Sequence, residues 1–367
     1  MVPVVDPLPP PCPRGGFLLA TCQAGAEATL AERMLPLLQR AGRGAWRRGL
    51  VTFRLPPGID PPDDPLAGPL AGAAFARALV RCFGQVSGAD DATRTRALLD
   101  LVPRAAFGRL HIWPRDPRPA AEDDRHGQRL AASCTALLQA LPGLAPGPAT
   151  TGELVLDVVV DGPERWWVGW HRATTASSHW PGGFHPRSLP GDKVSRAWLK
   201  LDEALASFAV PLTAGARAVE LGAAPGGASQ RLLEAGLDVV GIDPALVDPL
   251  VAAHPRFTHW RKRARDVRLR DFRPFDWIVA DMNIDPTSTM EAVGRIVTAP
   301  GVRPRGIIAT LKLPDWSRAA ALDGWLAAVR AWGYAPRVRQ LSTGGREVCL
   351  VALRSPGPRR TTQRPDP

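Results

Sequence analysis

The sequence predicts an α/β protein in two parts, a small α+β module followed by a domain built on a mostly parallel sheet. Three observations carry that prediction. The C-terminal half alternates short apolar runs with amphipathic helical runs, the pattern of a parallel sheet covered on both faces. The N-terminal half instead sets two β-rich runs side by side as a hairpin. Between the halves, Ala173 to Asp192 is rich in Ser, Thr, Gly, Pro and His and poor in core residues, as a connection is. At 367 residues the chain has room for about two domains. The boundaries expected are a module over 1–172, a linker over 173–193, the sheet domain over 194–354 and a disordered tail over 355–367.

In the first half, Phe17 to Thr21 and Leu50 to Leu55 read as strands. Gly25 to Ala41 between them has helical spacing, with Leu30, Met34, Leu37 and Leu38 apolar. A Pro-rich loop spans Pro56 to Pro69. A strand at Arg109 to Trp113 and a helix at Leu130 to Leu141 follow, then ELVLDVVVDG and RWWVGWH, joined through Pro163 and Glu164. From Val194 the chain opens with SRAWLKLDEALASF, an amphipathic helix with Ser195 as N-cap and Ala197, Leu201, Leu205 and Phe208 on one stripe. Strands ARAVELG, LDVVGID, FDWIVADM and RGIIATLKL follow, with helix ASQRLLEA after the first and a helix bearing Leu322, Trp325, Leu326 and Val329 after the last. APRVRQLS and REVCLVALR flank Thr343, Gly344 and Gly345, where a tight turn makes the last two strands antiparallel.

A formal charge of +11 and a pI near 10.5 favour a polyanionic partner, nucleic acid before a membrane surface. A codon bias toward Arg, Ala, Pro and Gly gives the same pI without any partner. The four lysines are more telling: Lys193, Lys200, Lys262 and Lys312 leave 42 of the 46 basic residues as arginine, so a retained lysine points to lysine chemistry. No apolar run reaches the ~18 residues that cross a bilayer, and the N-terminus lacks an export pattern. Five scattered cysteines, an odd number without a C-x-x-C pair, fit a reduced cytoplasmic setting. His171, His179 and His185 cluster beside the linker, but no acid or cysteine stands at ligand spacing, so no metal is expected.

AVELGAAPGGASQRLLEAGLDVVGIDP is a strand, glycine turn, helix and strand, with Asp243 standing 21 residues after Gly222. That spacing suits an acid that grips ribose hydroxyls. Pro225 removes a backbone donor that a pyrophosphate would use, which favours a nucleoside without phosphate, as S-adenosylmethionine is. Its amino-acid end can lie along the turn, its ribose can reach Asp243, and Asp266 can accept from the adenine amine. The bland alternative is a turn kept glycine-rich for close packing alone.

In order along the chain, S-R-A-W-L-K-L-D-E-A-L, E-L-G-A-A-P-G-G, D-W-I-V-A-D-M, L-K-L-P and G-R-E-V-C-L-V-A resemble the motifs of FtsJ-like ribose 2′-O-methyltransferases. The resemblance covers Val194 to Arg354. It implies a Rossmann-like S-adenosylmethionine-dependent methyltransferase sheet with an antiparallel last strand, and a catalytic tetrad at Lys200, Asp281, Lys312 and Glu347. With the reading of the turn, it gives cofactor contacts at Ser195, Glu220, Gly222, Ala224, Pro225, Gly226, Gly227, Asp243, Asp266 and Asp281. Chain length, D-M after the fourth strand and L-K-L-P after the fifth resemble the branch acting on a cytidine of bacterial large-subunit (23S) rRNA. LLATCQAGAEATLAE, FARALVRCFG and the hairpin resemble a THUMP RNA-binding module. Two positions depart from the pattern, Glu220 where the family has aspartate and Ala228 where it commonly has an aromatic ring.

The tetrad makes chemical sense. A ribose hydroxyl attacks poorly until its proton leaves, so the enzyme must align oxygen, methyl and sulfur and supply a base. Lys312 is the expected base, its neutral form favoured by the neighbouring Lys200. Asp281 would orient the ammonium groups, and Glu347 would complete the network. The expected protein is thus a cytoplasmic, monomeric rRNA methyltransferase without membrane or metal partners. The alternatives are a 2′-O-methyltransferase of tRNA or an mRNA cap, and an inactive RNA-binding relative.

Overall fold

A computed structural model describes residues 17–355 apart from 39, 60, 62, 67–72, 104–106 and 117–123, so the tail beyond 355 and part of the Pro-rich loop fall outside the described residues. The chain forms two units, Met1–Arg187 with Arg339–Thr343, and Ser188–Val338 with Gly344–Pro367.

The first unit holds β1 (Phe17–Thr21), α1 (Glu27–Met34), β2 (Gly42–Arg47), β3 (Leu50–Arg54), β4 (Ala78–Ser87), α2 (Asp91–Leu101), β5 (Arg109–Pro114), α3 (Asp124–Ala140), the short β6 (Ala145–Pro146), β7 (Leu154–Val160) and β8 (Arg165–Arg172). These strands make one sheet in the order β2-β3-β1-β4-β8-β7-β5-β6. β7 shows why both faces are covered. Leu156 and Val158 join a core with Leu98 of α2 and Leu137 of α3, while Val155 and Val159 point the other way into separate clusters, as period two requires. The expected β7–β8 hairpin is present, paired from Leu154↔Arg172 to Val160↔Trp166.

Besides β2, α2 and β6, which the sequence reading does not place, two features differ from it for a clear physical reason. β4 occupies the centre of the sheet between β1 and β8, yet Arg81 and Gln85 interrupt its apolar run. Arg81 is accommodated because its guanidinium lies 4.6 Å from the Trp170 ring centre and pairs with Asp63 at 3.2 Å. The expected linker is the second difference: residues 173–187 belong to the first unit, and only from Ser188 does the chain leave it. Its Ser and Thr groups are spent on a buried acid. Asp64 accepts hydrogen bonds from the amides of Thr174 and Thr175 and from the hydroxyls of Thr174 and Ser178, at 2.7 to 3.1 Å. Those bonds hold its carboxyl below the usual range, against the burial that would raise it.

The second unit holds α4 (Arg196–Ser207), β9 (Arg217–Leu221), α5 (Gly227–Glu234), β10 (Asp238–Ile242), α6 (Pro249–Ala252), β11 (Phe257–Trp260), β12 (Trp277–Ala280), α7 (Pro286–Val297), β13 (Gly306–Lys312), α8 (Leu322–Ala331), β14 (Tyr334–Arg339) and β15 (Glu347–Arg354). The sheet order is β11-β10-β9-β12-β13-β15-β14. β11 through β13 pair in parallel, and β15 runs antiparallel to β13, as expected. The near-continuous apolar strands Val239–Ile242 and Trp277–Ala280 are those of a sheet buried on both faces. Ser195 caps α4 by accepting from the Ala197 amide at 3.3 Å. The buried stripe of that helix includes Trp198, while Ala197 is only half-buried.

The connection between the last two strands is not the tight turn expected. β14 ends at Arg339 and β15 begins at Glu347, and Arg339–Thr343 belongs to the first unit. There the Gln340 amide donates to the Ala74 carbonyl at 2.7 Å, and Gln340 is buried.

Candidate active site at the carboxyl ends of the second sheet

Four elements deliver the four residues singled out as a tetrad. Lys200 stands in the second turn of α4, Asp281 follows the last residue of β12, Lys312 ends β13, and Glu347 opens β15. The antiparallel β13–β15 register sets Lys312 directly opposite Glu347. The Asp281 amide donates to the Leu221 carbonyl at 3.1 Å, which ties the acid to the end of β9.

The side chains close into a ring of alternating charge. Lys200 Nζ lies 2.6 Å from Asp281 Oδ2 and 3.4 Å from Glu347 Oε1, and Lys312 Nζ lies 2.6 Å from Glu347 Oε2 and 3.3 Å from Asp281 Oδ1. Lys312 is the most exposed member, with 27% of its side chain open. Burial disfavours its ammonium form, but Asp281 and Glu347 outweigh burial and hold its pKa above the usual value. This corrects the expectation that Lys200 would favour a neutral amine. The carboxylates stand between the two ammonium groups, so attraction to them dominates the repulsion.

The glycine turn lies at the ends of β9 and β10. Gly222 has φ of +82°, and a Cβ there would crowd Met282 and the Asp281 carbonyl. A Cβ on Gly227 would overlap Ser195 Oγ and the Trp198 amide, so this glycine lets the start of α4 lie against the start of α5. Both neighbours are protein atoms, and packing alone requires these glycines. Ala224 and Pro225 are joined by a cis peptide. Asp243 receives the Ala224 amide on Oδ2 at 3.2 Å and the Ala245 amide on Oδ1 at 2.8 Å. Each oxygen keeps a lone pair for a further donor, so this acid fits a ribose diol. Asp266 sits in the turn after β11, with 55% of its side chain exposed, open to a ligand amine.

Glu220 departs from its expected role as a contact. It is buried and accepts from Ser229 Oγ at 2.5 Å, which fixes the turn to the first turn of α5. Burial, with Asp281 and Asp243 adding repulsion, pushes its carboxyl up to about 8. Ser229 was not singled out in the sequence, although its place two residues after the double glycine marks it as facing the turn. Ala228 is buried against protein.

Residues 193–304 match the FtsJ-like methyltransferase family, a span that includes Lys200 and Asp281 and ends before Lys312. "Ribosomal RNA large subunit methyltransferase M" of Halorhodospira halophila is 30% identical over 348 residues, 91% of this chain and 95% of the relative. The protein of the same name from Azoarcus sp. is 29% identical over 319 residues, 83% of this chain and 86% of the relative. The structure of TrmN from Thermus thermophilus aligns with 92% of this chain and 99% of its own at 17% identity, with a TM-score of 0.33, too low to bear on the fold. By the extent of its likeness to relatives at this level of identity, the chain belongs to the family of the ribosomal RNA large subunit methyltransferase M.

Proposed function

We propose that this protein is an S-adenosylmethionine-dependent ribose 2′-O-methyltransferase acting on a cytidine of large-subunit (23S) rRNA. The observation that carries this reading is the closed Lys200–Asp281–Lys312–Glu347 ring beside the glycine turn and Asp243. The bound cofactor supplies an electrophilic methyl group on a sulfonium. Residues of this chain do the rest. Asp243 holds the ribose, the turn Ala224–Gly227 lies along the amino-acid end, and Asp266 meets the adenine amine. Asp281 spaces the two ammonium groups, and Glu347 anchors Lys312 Nζ toward the target hydroxyl. Lys312 takes the hydroxyl proton, and must first shed its own.

The first unit is read as the RNA-holding, THUMP-like module. Its edge strand β2 supports this: Arg43, Trp46 and Arg47 are exposed there, with Arg48 just beyond. Cations beside an exposed aromatic ring suit phosphate contact and base stacking. Work as a cytoplasmic monomer completes the proposal. Among the described residues no helix is long and apolar enough to cross a membrane.

Mapping ribose methylation across total RNA from cells with and without the gene tests the reading. Loss of one large-subunit cytidine methylation is expected, and an unchanged large-subunit map would refute it.

A further inference from the structure

A cluster in the first unit lies outside all of this chemistry. His111 of β5, Asp157 of β7 and His171 of β8 stand on three adjacent strands. The parallel register sets His111 opposite Asp157, and the hairpin sets His171 two positions from the residue opposite Asp157, so all three project from one face. His111 and Asp157 are completely buried and His171 nearly so. One atom from each lies within 4.8 Å of the others.

We propose that His111, Asp157 and His171 bind one divalent cation of the zinc class inside the N-terminal unit. The argument begins with groups that lack partners. Asp157 Oδ1 and both ring nitrogens of His111 are buried without a hydrogen bond of acceptable geometry, although the Gly147 carbonyl is near enough to favour a proton on that ring. Unmet groups at this depth forfeit their hydration without a replacement bond, so a fold that gathers them needs a reason. His111 Nδ1 and Asp157 Oδ1 face one another at 3.9 Å, too far for a proton to bridge. A zinc-class ion has bonds of roughly 2.0–2.2 Å to nitrogen and oxygen, and therefore spans such a gap.

His171 is already oriented as a ligand. Its Nε2 bonds the Ser178 carbonyl at 2.8 Å, which directs Nδ1 at Asp157 Oδ2, 2.5 Å away. A backbone carbonyl on the second ring nitrogen is the usual outer partner of a metal-bound histidine. On metal uptake the cation replaces the proton between His171 and Asp157. Nearby Asp64 is ionised and offsets the added charge. Two imidazoles and a carboxylate select a zinc-class ion over calcium or magnesium, which prefer all-oxygen sites. Bound there, the ion would tie three strands to the 173–187 segment that carries Ser178.

The test uses the full chain, purified without chelators from cells grown with added zinc. Elemental analysis should find about one zinc per chain, and X-ray absorption should show nitrogen and oxygen neighbours with imidazole scattering and no sulfur. His111→Phe, folded by far-UV circular dichroism, should lose the zinc and melt at a lower temperature than the wild type. Without a metal, the same change removes an unsatisfied buried group and should raise the melting temperature instead. Zinc-free wild-type protein, sulfur ligation, or a His111→Phe protein that keeps its zinc or melts higher overturns the proposal. The wild-type metal content and absorption spectrum decide the matter even if the variant does not fold.

Discussion

Lys312 carries the sharpest consequence at the level of single residues. Two carboxylates hold its ammonium above the usual pKa of 10.5, so a base role requires the scarce neutral form. Turnover per encounter, kcat/KM for RNA, should then rise about tenfold per pH unit with no plateau below pH 10. If Lys312 acts only as a cation, the rate should be flat across that range and fall at its upper end. Lys312→Arg should bind cofactor and RNA yet lose ~10²-fold or more in single-turnover methyl transfer, because arginine is never deprotonated in proteins. Glu220 gives a second prediction, about stability. Its folded pKa of about 8 lies above the ordinary 4.5, so its contribution is fully present below 4.5 and is lost as pH rises through about 8. Glu220→Gln cannot ionise and avoids that loss. Its melting temperature should gain on the wild type steadily from pH 5 to 8 and hold level above; a constant difference across pH would contradict the buried neutral acid.

At the level of elements, the turn between β9 and α5 and the acid that follows β10 have separate tasks with different signatures. Packing requires Gly227, and Gly227→Ala should cost about 1–3 kcal/mol by driving α4 from α5, read as a lower denaturation midpoint. Ligand contact is the proposed task of Asp243, and Asp243→Ala should weaken S-adenosylmethionine binding in calorimetry. Unchanged affinity would remove Asp243 from the site. The edge strand β2 is the element proposed to touch RNA. Arg43→Ala with Arg47→Ala should weaken RNA binding and reduce the slope of log K against log salt by about one to two, while methyl transfer at saturating RNA persists. An unaltered slope would assign those arginines to guarding the sheet edge instead.

Over the whole molecule, the order of the second unit is largely legible in the amino-acid sequence. Its strands are continuous apolar runs separated by helical periodicity, and each tetrad residue sits inside a recognisable local motif. The first unit is less legible. β4 is interrupted by Arg81, which is satisfied by Trp170 and Asp63, partners distant in sequence. Residues 173–187 look like a linker because Ser and Thr usually face water, but Asp64 gathers their donors from about 110 positions away.

The sequence by itself determined the strand and helix periods of the catalytic unit, the glycine turn with its acid, and the four residues worth placing in one site. Such features rest on local spacing, which a chain carries in its one-dimensional order. Tertiary structure alone decided the carboxylates that raise the pKa of Lys312, the burial of Glu220 against Ser229, the docking of Arg339–Thr343 in the first unit, and the meeting of His111, Asp157 and His171. These depend on which groups share a low-dielectric interior, and strand order and register bring such groups together from far apart in sequence.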